Sequence, residues 1–84
     1  MSKRGAVVFK NKNGARNNLC GDKIREFRGS LSQRALADKM QLLGIDLDKN
    51  AIQRIEAGKR FVTDIEIVYI SKVLNVSYTD LLKY

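Results

Sequence analysis

Proline and histidine are both missing from this 84-residue chain, and cysteine occurs once, at Cys20. Each absence removes something. Without proline, helices must stop by other signals. A lone cysteine cannot close an internal disulfide, which fits a reducing compartment. With no histidine beside it, a nucleophilic Cys–His pair is excluded, and a structural zinc site lacks its ligands. Cys20 therefore reads as a small, half-buried apolar residue at the start of a helix. No apolar run approaches the length of a membrane span. The longest, Gly5-Ala6-Val7-Val8-Phe9, is too short even for a signal-peptide core, so the default location is the cytoplasm. A Gly-rich phosphate loop is also missing, and no enzyme is expected.

What remains is an ordinary soluble composition, 44% hydrophobic and 30% charged, in a length that allows one domain. A domain of this size buries a modest core and is marginal in stability. The balance of charge is less ordinary. The formal net charge is +7 and the pI near 9.9, which points to a polyanionic partner: nucleic acid or an anionic membrane surface. Residues 1–18 hold Lys3, Arg4, Lys10, Lys12 and Arg16 with no acid, whereas residues 19–84 set eleven basic residues against nine acidic ones. Residues 1–18 read as a flexible basic arm and 19–84 as the folded domain. The arm has no clear amphipathic stripe, which counts against a membrane surface. Its only apolar cluster, Ala6-Val7-Val8-Phe9, is the one segment able to fold back on the domain.

Five helical segments are predicted after the arm. The first runs from about Cys20 to Arg28, with Ile24 and Phe27 one turn apart, and stops at Gly29-Ser30. The second starts at Ser32, a good N-cap. Leu36, Met40 and Leu43 make its apolar stripe, and Gly44 its stop. Asp48 caps the third helix and Gly58 ends it. The fourth starts at Thr63 with Glu66 three residues on, a capping-box signature. Ile67, Ile70 and Leu74 line its inner face. The fifth starts at Ser77, with Asp80 in its first turn and Leu81-Leu82 behind. Short helices with short connections imply a compact all-α domain.

On a wheel at about 100° per residue, Ile52 and Ile55 of the third helix face the core and Ala51 flanks them. Asn50, Gln53, Arg54 and Ala57 lie opposite, with Lys49 to one side. Asn and Arg can pair in two-pronged fashion with adenine and guanine in the major groove. A polar outer face is also the norm for any surface helix, so the wheel alone does not select a function.

The order of motifs does. Leu31-Ser32-Gln33, Leu36-Ala37, the run Ile52-Gln53-Arg54-Ile55-Glu56-Ala57-Gly58-Lys59-Arg60, then Val73-Leu74-Asn75-Val76-Ser77 with Leu81-Leu82, closely resemble the Cro/cI-type (XRE) helix-turn-helix family of bacterial and phage regulators. The resemblance covers about residues 20–83. It implies a lambda-repressor-like, five-helix domain with a recognition helix at about 48–57 entering the major groove. Lys49, Asn50 and Arg54 match base-reading positions, and Gln53 a more variable neighbour. Ser32 and Gln33 begin the helix that crosses the DNA backbone, and Lys59 and Arg60 match a phosphate-holding loop. Glu56 matches a structural brace to an arginine of the first helix, Arg28 first and Arg25 second. One departure stands out: 14 residues, 38–51, separate Ala37 from Ile52, more than in the common family form. The extra length falls in Gln41–Leu47.

The implied function is sequence-specific binding of double-stranded DNA by a transcriptional regulator, of the repressor kind. A homodimer on a two-fold symmetric operator is expected, because one short helix reads few base pairs. No cofactor, metal or small-molecule ligand is implied, and the location is the cytoplasm, on the nucleoid. The alternative is a protein-interaction module on the same fold, such as the antitoxin half of a toxin–antitoxin pair, using Phe61, Tyr78 and Tyr84. Such a module is expected to carry apolar anchors on the third helix, and Asn50, Gln53 and Arg54 are polar. The dimer surface is placed on the fifth helix and the Phe61-Val62 loop.

Overall fold

The computed structural model of the chain describes residues 16–82. Within them the all-α, five-helix architecture is what forms: α1 Gly21–Arg28, α2 Gln33–Leu42, α3 Lys49–Glu56, α4 Asp64–Leu74 and α5 Tyr78–Leu82. No helix among the described residues is long and apolar enough to cross a membrane.

The helix starts follow from side chains that satisfy free backbone N–H groups. Ser32 Oγ accepts from the Ala35 N–H at 2.9 Å and Asp48 Oδ1 from Ala51 at 2.8 Å. Thr63 and Glu66 complete a reciprocal capping box at 3.1 and 3.0 Å. Ser77 Oγ accepts from the Asp80 N–H at 3.2 Å.

In the absence of proline, three helices stop the same way. After α2, Ile45 N–H reaches back to Met40 O and Gly44 N–H to Gln41 O. After α3, Lys59 N–H bonds Arg54 O and Gly58 N–H bonds Ile55 O. After α4, Val76 N–H bonds Ser71 O and Asn75 N–H bonds Lys72 O. This paired pattern needs a left-handed residue just past the helix. Gly44, Gly58 and Asn75 supply it, with φ of 82°, 77° and 60°. Asn75 does so without being a glycine, because its short polar side chain tolerates that region.

Every helix contributes to one core: Ile24 from α1, Leu36, Ala37 and Met40 from α2, Ile52 and Ile55 from α3, Ile67 and Ile70 from α4, and Leu81 from α5. The helix α3 packs across α1 and α2, while α4 and α5 close the other side. Two expectations fail in detail, at Leu43 and Cys20. Leu43 is 47% exposed and Leu47 takes its place in the core. The reversal at Gly44 swings the chain away after Leu42, so the stripe ends at Met40. Phe27 is 37% exposed. Gly21, Ile24 and Arg28 share the side of α1 that faces α3, and Phe27 lies about 100° round from Arg28. Cys20 is not half-buried but 1% exposed, and burial pushes its thiol up to about 11.

The boundary expected at residue 18 also shifts. Asn18 is buried, and Asn17 donates its N–H to Gly58 O at 2.8 Å, so residues 16–18 belong to the packed domain. The rest of the basic arm lies outside the described residues.

Gly44 and Gly58 separate backbone strain from crowding. A Cβ at Gly44 meets nothing within 4 Å, whereas one at Gly58 comes 2.6 Å from Arg16 Cζ. Gly44→Ala should cost about 1–2 kcal/mol, the left-handed penalty alone. Gly58→Ala should cost more, and the excess should vanish in an Arg16→Ala background. Urea melts of the four variants check this; equal costs in both backgrounds exclude the crowding.

Candidate nucleic-acid interface

The third helix is anchored by Ile52 and Ile55, both fully buried, and by Glu56, which is 2% exposed. An isolated carboxylate at such a depth is strongly unfavourable, so it must be compensated. Arg28 Nε donates to Glu56 Oε2 at 2.7 Å and Arg28 Nη2 to Oε1 at 2.9 Å. Gln33 Nε2 donates to Oε1 at 2.9 Å. Arg25, largely exposed, stands 3.6 Å away. Arg28 also donates from Nη1 to Leu31 O at 2.9 Å. One acid on α3 therefore joins the end of α1, the loop after it and the start of α2.

Elsewhere on α3, Lys49, Asn50, Gln53 and Arg54 are all exposed, with Asn50 and Arg54 on the side away from this junction. Within residues 16–82 none of the four side chains makes a hydrogen bond or ion pair. Polar groups with open valences project from a helix whose inner side is immobilised. Asp48, Asn50, Ala51, Arg54 and Arg60 surround a shallow concavity of about 340 Å³.

The other residues read from the sequence are placed differently. The Ser32 hydroxyl is engaged as the N-cap of α2. Gln33 is half-buried with its amide turned to Glu56. Lys59 is exposed beside the end of α3. Arg60 is tied inward: Nη1 and Nη2 donate to Glu66 Oε1 and Oε2 at 3.0 and 3.1 Å, and Nη1 also to Phe61 O at 2.9 Å. Glu66 thus serves both the capping box and a fork with Arg60. The capping box was legible in the sequence; the fork was not, because the six-residue spacing spans a loop and follows no helical period.

Electrostatics differ between the two acids and an ordinary surface carboxylate. For Glu56, burial pushes the carboxyl up; hydrogen bonds from Arg28 and Gln33, with the charges of Arg28 and Arg25, outweigh it and hold it below the usual range. For Glu66, burial acts the same way, and the Arg60 and Thr63 hydrogen bonds bring it below as well.

A three-helix frame, a buried acid joining its parts and a polar outer face on the third helix define a helix-turn-helix domain. The family model described as Helix-turn-helix matches residues 23–81, and the chain belongs to that family, in its Cro/cI (XRE) form; it is a DNA-binding transcriptional regulator. Among solved structures, it is similar to the restriction-modification controller protein C.AhdI from Aeromonas hydrophila, with 28% identity and a TM-score of 0.63. That likeness covers 73% of this chain and 84% of the other. No curated protein matches the chain.

Removing one partner of a buried pair costs about 3–5 kcal/mol, so Glu56→Ala should melt far below the parent. The acid limb follows from the sign of the shifts. Both carboxyls are depressed in the folded state, so their stabilisation is present above the unfolded value, about 4.3. It disappears as pH falls through the folded values. Thermal midpoints should hold from neutrality to about pH 5 and drop below about pH 4. Glu56→Gln should start lower and lose less over the same interval. Parallel curves for parent and Glu56→Gln exclude this linkage.

Proposed function

We propose that the protein binds a specific, two-fold symmetric operator as a homodimer and acts as a repressor, with Lys49, Asn50, Gln53 and Arg54 reading base edges. The observation that carries this is the contrast on α3: an inner side locked by Ile52, Ile55 and the Glu56 junction, and four exposed polar residues with no side-chain partner among residues 16–82. Asn and Arg are suited to two-pronged contacts with adenine and guanine. Ser32 and Gln33 open α2, whose N-terminal backbone N–H groups are suited to a phosphate, and Lys59 brings a cation past the end of α3. Arg60 contributes to the backbone chiefly by shaping the loop, because its fork is engaged by Glu66. A regulator of this kind works in the cytoplasm, on nucleoid DNA.

The second copy is assigned to an apolar surface on the α4–α5 side. Phe61 is 73% exposed, Ile65 60% and Tyr78 56%. Of these, Tyr78 lines a groove of about 470 Å³ together with Leu19, Cys20, Val62, Ile67, Val68 and Leu82. Exposed apolar residues gathered in one patch mark an interaction site. Pairing through it gives two recognition helices, which must lie about 34 Å apart to enter successive major grooves. Tyr84, grouped with this patch on sequence grounds, lies outside the described residues.

Selection of bound sequences from random duplexes should return a symmetric consensus. Asn50→Ala or Arg54→Ala should relax preference at one position per half-site, worth about 1–3 kcal/mol of discrimination. Lys59→Ala should weaken all sequences alike and lower the slope of log K against log salt by about one unit. Deleting residues 1–15 removes Lys3, Arg4, Lys10 and Lys12 and should flatten that slope further. A preference matrix for Arg54→Ala identical in shape to the parent's removes Arg54 from the reading set.

For the dimer, sedimentation should find the parent dimeric at micromolar concentration and Phe61→Asp or Ile65→Asp monomeric. A monomeric parent, both free and on DNA, rules the dimer out.

A further inference from the structure

The carbonyl end of α3 is held by residues that precede the family-matched span, which begins at 23. Asn18 is 6% exposed. Its Nδ2 donates to Ile55 O at 3.1 Å and to Arg60 O at 2.8 Å, and its Oδ1 accepts from the Gly21 N–H at 2.8 Å. Asn17 donates its N–H to Gly58 O at 2.8 Å and its Nδ2 to Lys59 O at 3.2 Å. Arg16 Nη2 donates to Glu56 O at 3.4 Å, with its guanidinium lying over Gly58. Three consecutive residues thus meet carbonyls at Ile55, Glu56, Gly58, Lys59 and Arg60. A helix leaves its last carbonyls without internal partners; here the supply comes from the other end of the chain. Gly21 brings α1 close enough for this, since a Cβ there would collide with the Ile55 carbonyl oxygen.

An eight-residue helix is too short to fix its own direction, so α3 takes its direction from what grips it. The grip on its inner side comes from Ile52, Ile55 and Glu56. The grip on its backbone, and on the Lys59-Arg60 loop that follows, comes from residues 16–18. We propose that Asn18, supported by Arg16 and Asn17, is a positioning residue for DNA recognition: its amide sets the carbonyl end of α3 and the adjoining loop against the start of α1, and so aims Asn50 and Arg54. This rests on the reading that α3 enters the major groove.

Asn18→Ser separates the two tasks of this side chain. It keeps an oxygen able to accept from Gly21 and removes both donors to Ile55 and Arg60. Asn18→Ala removes all three bonds, and Asn17→Ala removes the exposed one to Lys59. Each full-length variant is titrated with the operator selected by the parent and with an unrelated duplex of equal length. Salt is fixed, the temperature keeps every variant folded by circular dichroism, and active concentration is set by stoichiometric titration. Asn18→Ser and Asn18→Ala should both lose roughly tenfold in the ratio of operator to unrelated affinity, comparable to one base contact. Affinity for the unrelated duplex should stay within about twofold, since it depends on charge. An unchanged ratio, or a loss confined to Asn18→Ala, overturns the inference, because Asn18 then only caps α1. If neither Asn18 variant folds, Asn17→Ala decides: a severalfold loss of the ratio supports positioning, and no loss overturns it. A parent that selects no sequence defeats the major-groove reading itself; a parent that selects one, with variants of equal ratio, defeats this inference alone.

Discussion

The carboxylate of Glu56 is where the separate helices become one frame. It is buried on α3, gripped by both arms of a guanidinium on α1 and by an amide at the start of α2. Apolar contacts between short helices allow sliding, because the hydrophobic effect is non-directional. A two-pronged arginine–carboxylate contact is directional, and here it is in a site that excludes water. The net stabilisation from such a pair is modest against an apolar replacement. Its consequence is geometric: α3 cannot rotate about its axis without separating Glu56 from Arg28.

Holding the rotation of α3 is one requirement; holding its end is another. The Schellman-type stop at Gly58 turns the chain sharply, and residues 16–18 then close over the exposed carbonyls. Arg60 takes the next step by clasping Glu66 at the start of α4. Glu66 accepts that fork while also serving the capping box of its own helix. Loop and helix start are therefore one hydrogen-bonded unit, and Lys59 projects from a rigid support.

Functional polarity is distributed by the same logic. Polar side chains that face the frame are satisfied: among residues 16–82 no buried side-chain nitrogen or oxygen lacks a hydrogen-bond partner. The exposed ones on α3 have no side-chain partner within residues 16–82. A DNA-binding regulator needs this division, because groups that pair internally are not available to bases or phosphates. Apolar side chains are also left exposed, Phe61, Ile65 and Tyr78 on α4, α5 and the loops before them, and Leu42 and Leu43 at the end of α2.

Local chemistry made much of this legible from the chain alone. Ser32, Asp48 and Thr63 start helices because each can bond a backbone N–H three residues on, an interaction contained within one turn. Gly44 and Gly58 stop them because a left-handed residue is needed there. Ile52 and Ile55, one turn apart, settle which side of α3 faces inward. The family motifs, being ordered strings of such local features, carried the class. Leu47 in place of Leu43, the Arg60–Glu66 fork and the Asn18 contacts were decided only by the tertiary structure. The Asn18 bonds join residues 37 and 42 positions apart, and no periodicity spans that distance. Residues 16–18 read as arm because they are polar and follow a basic run. They became part of the domain because carbonyls at the end of α3 and in the loop after it can still accept, and α1, through Gly21, passes close enough to bring donors to them.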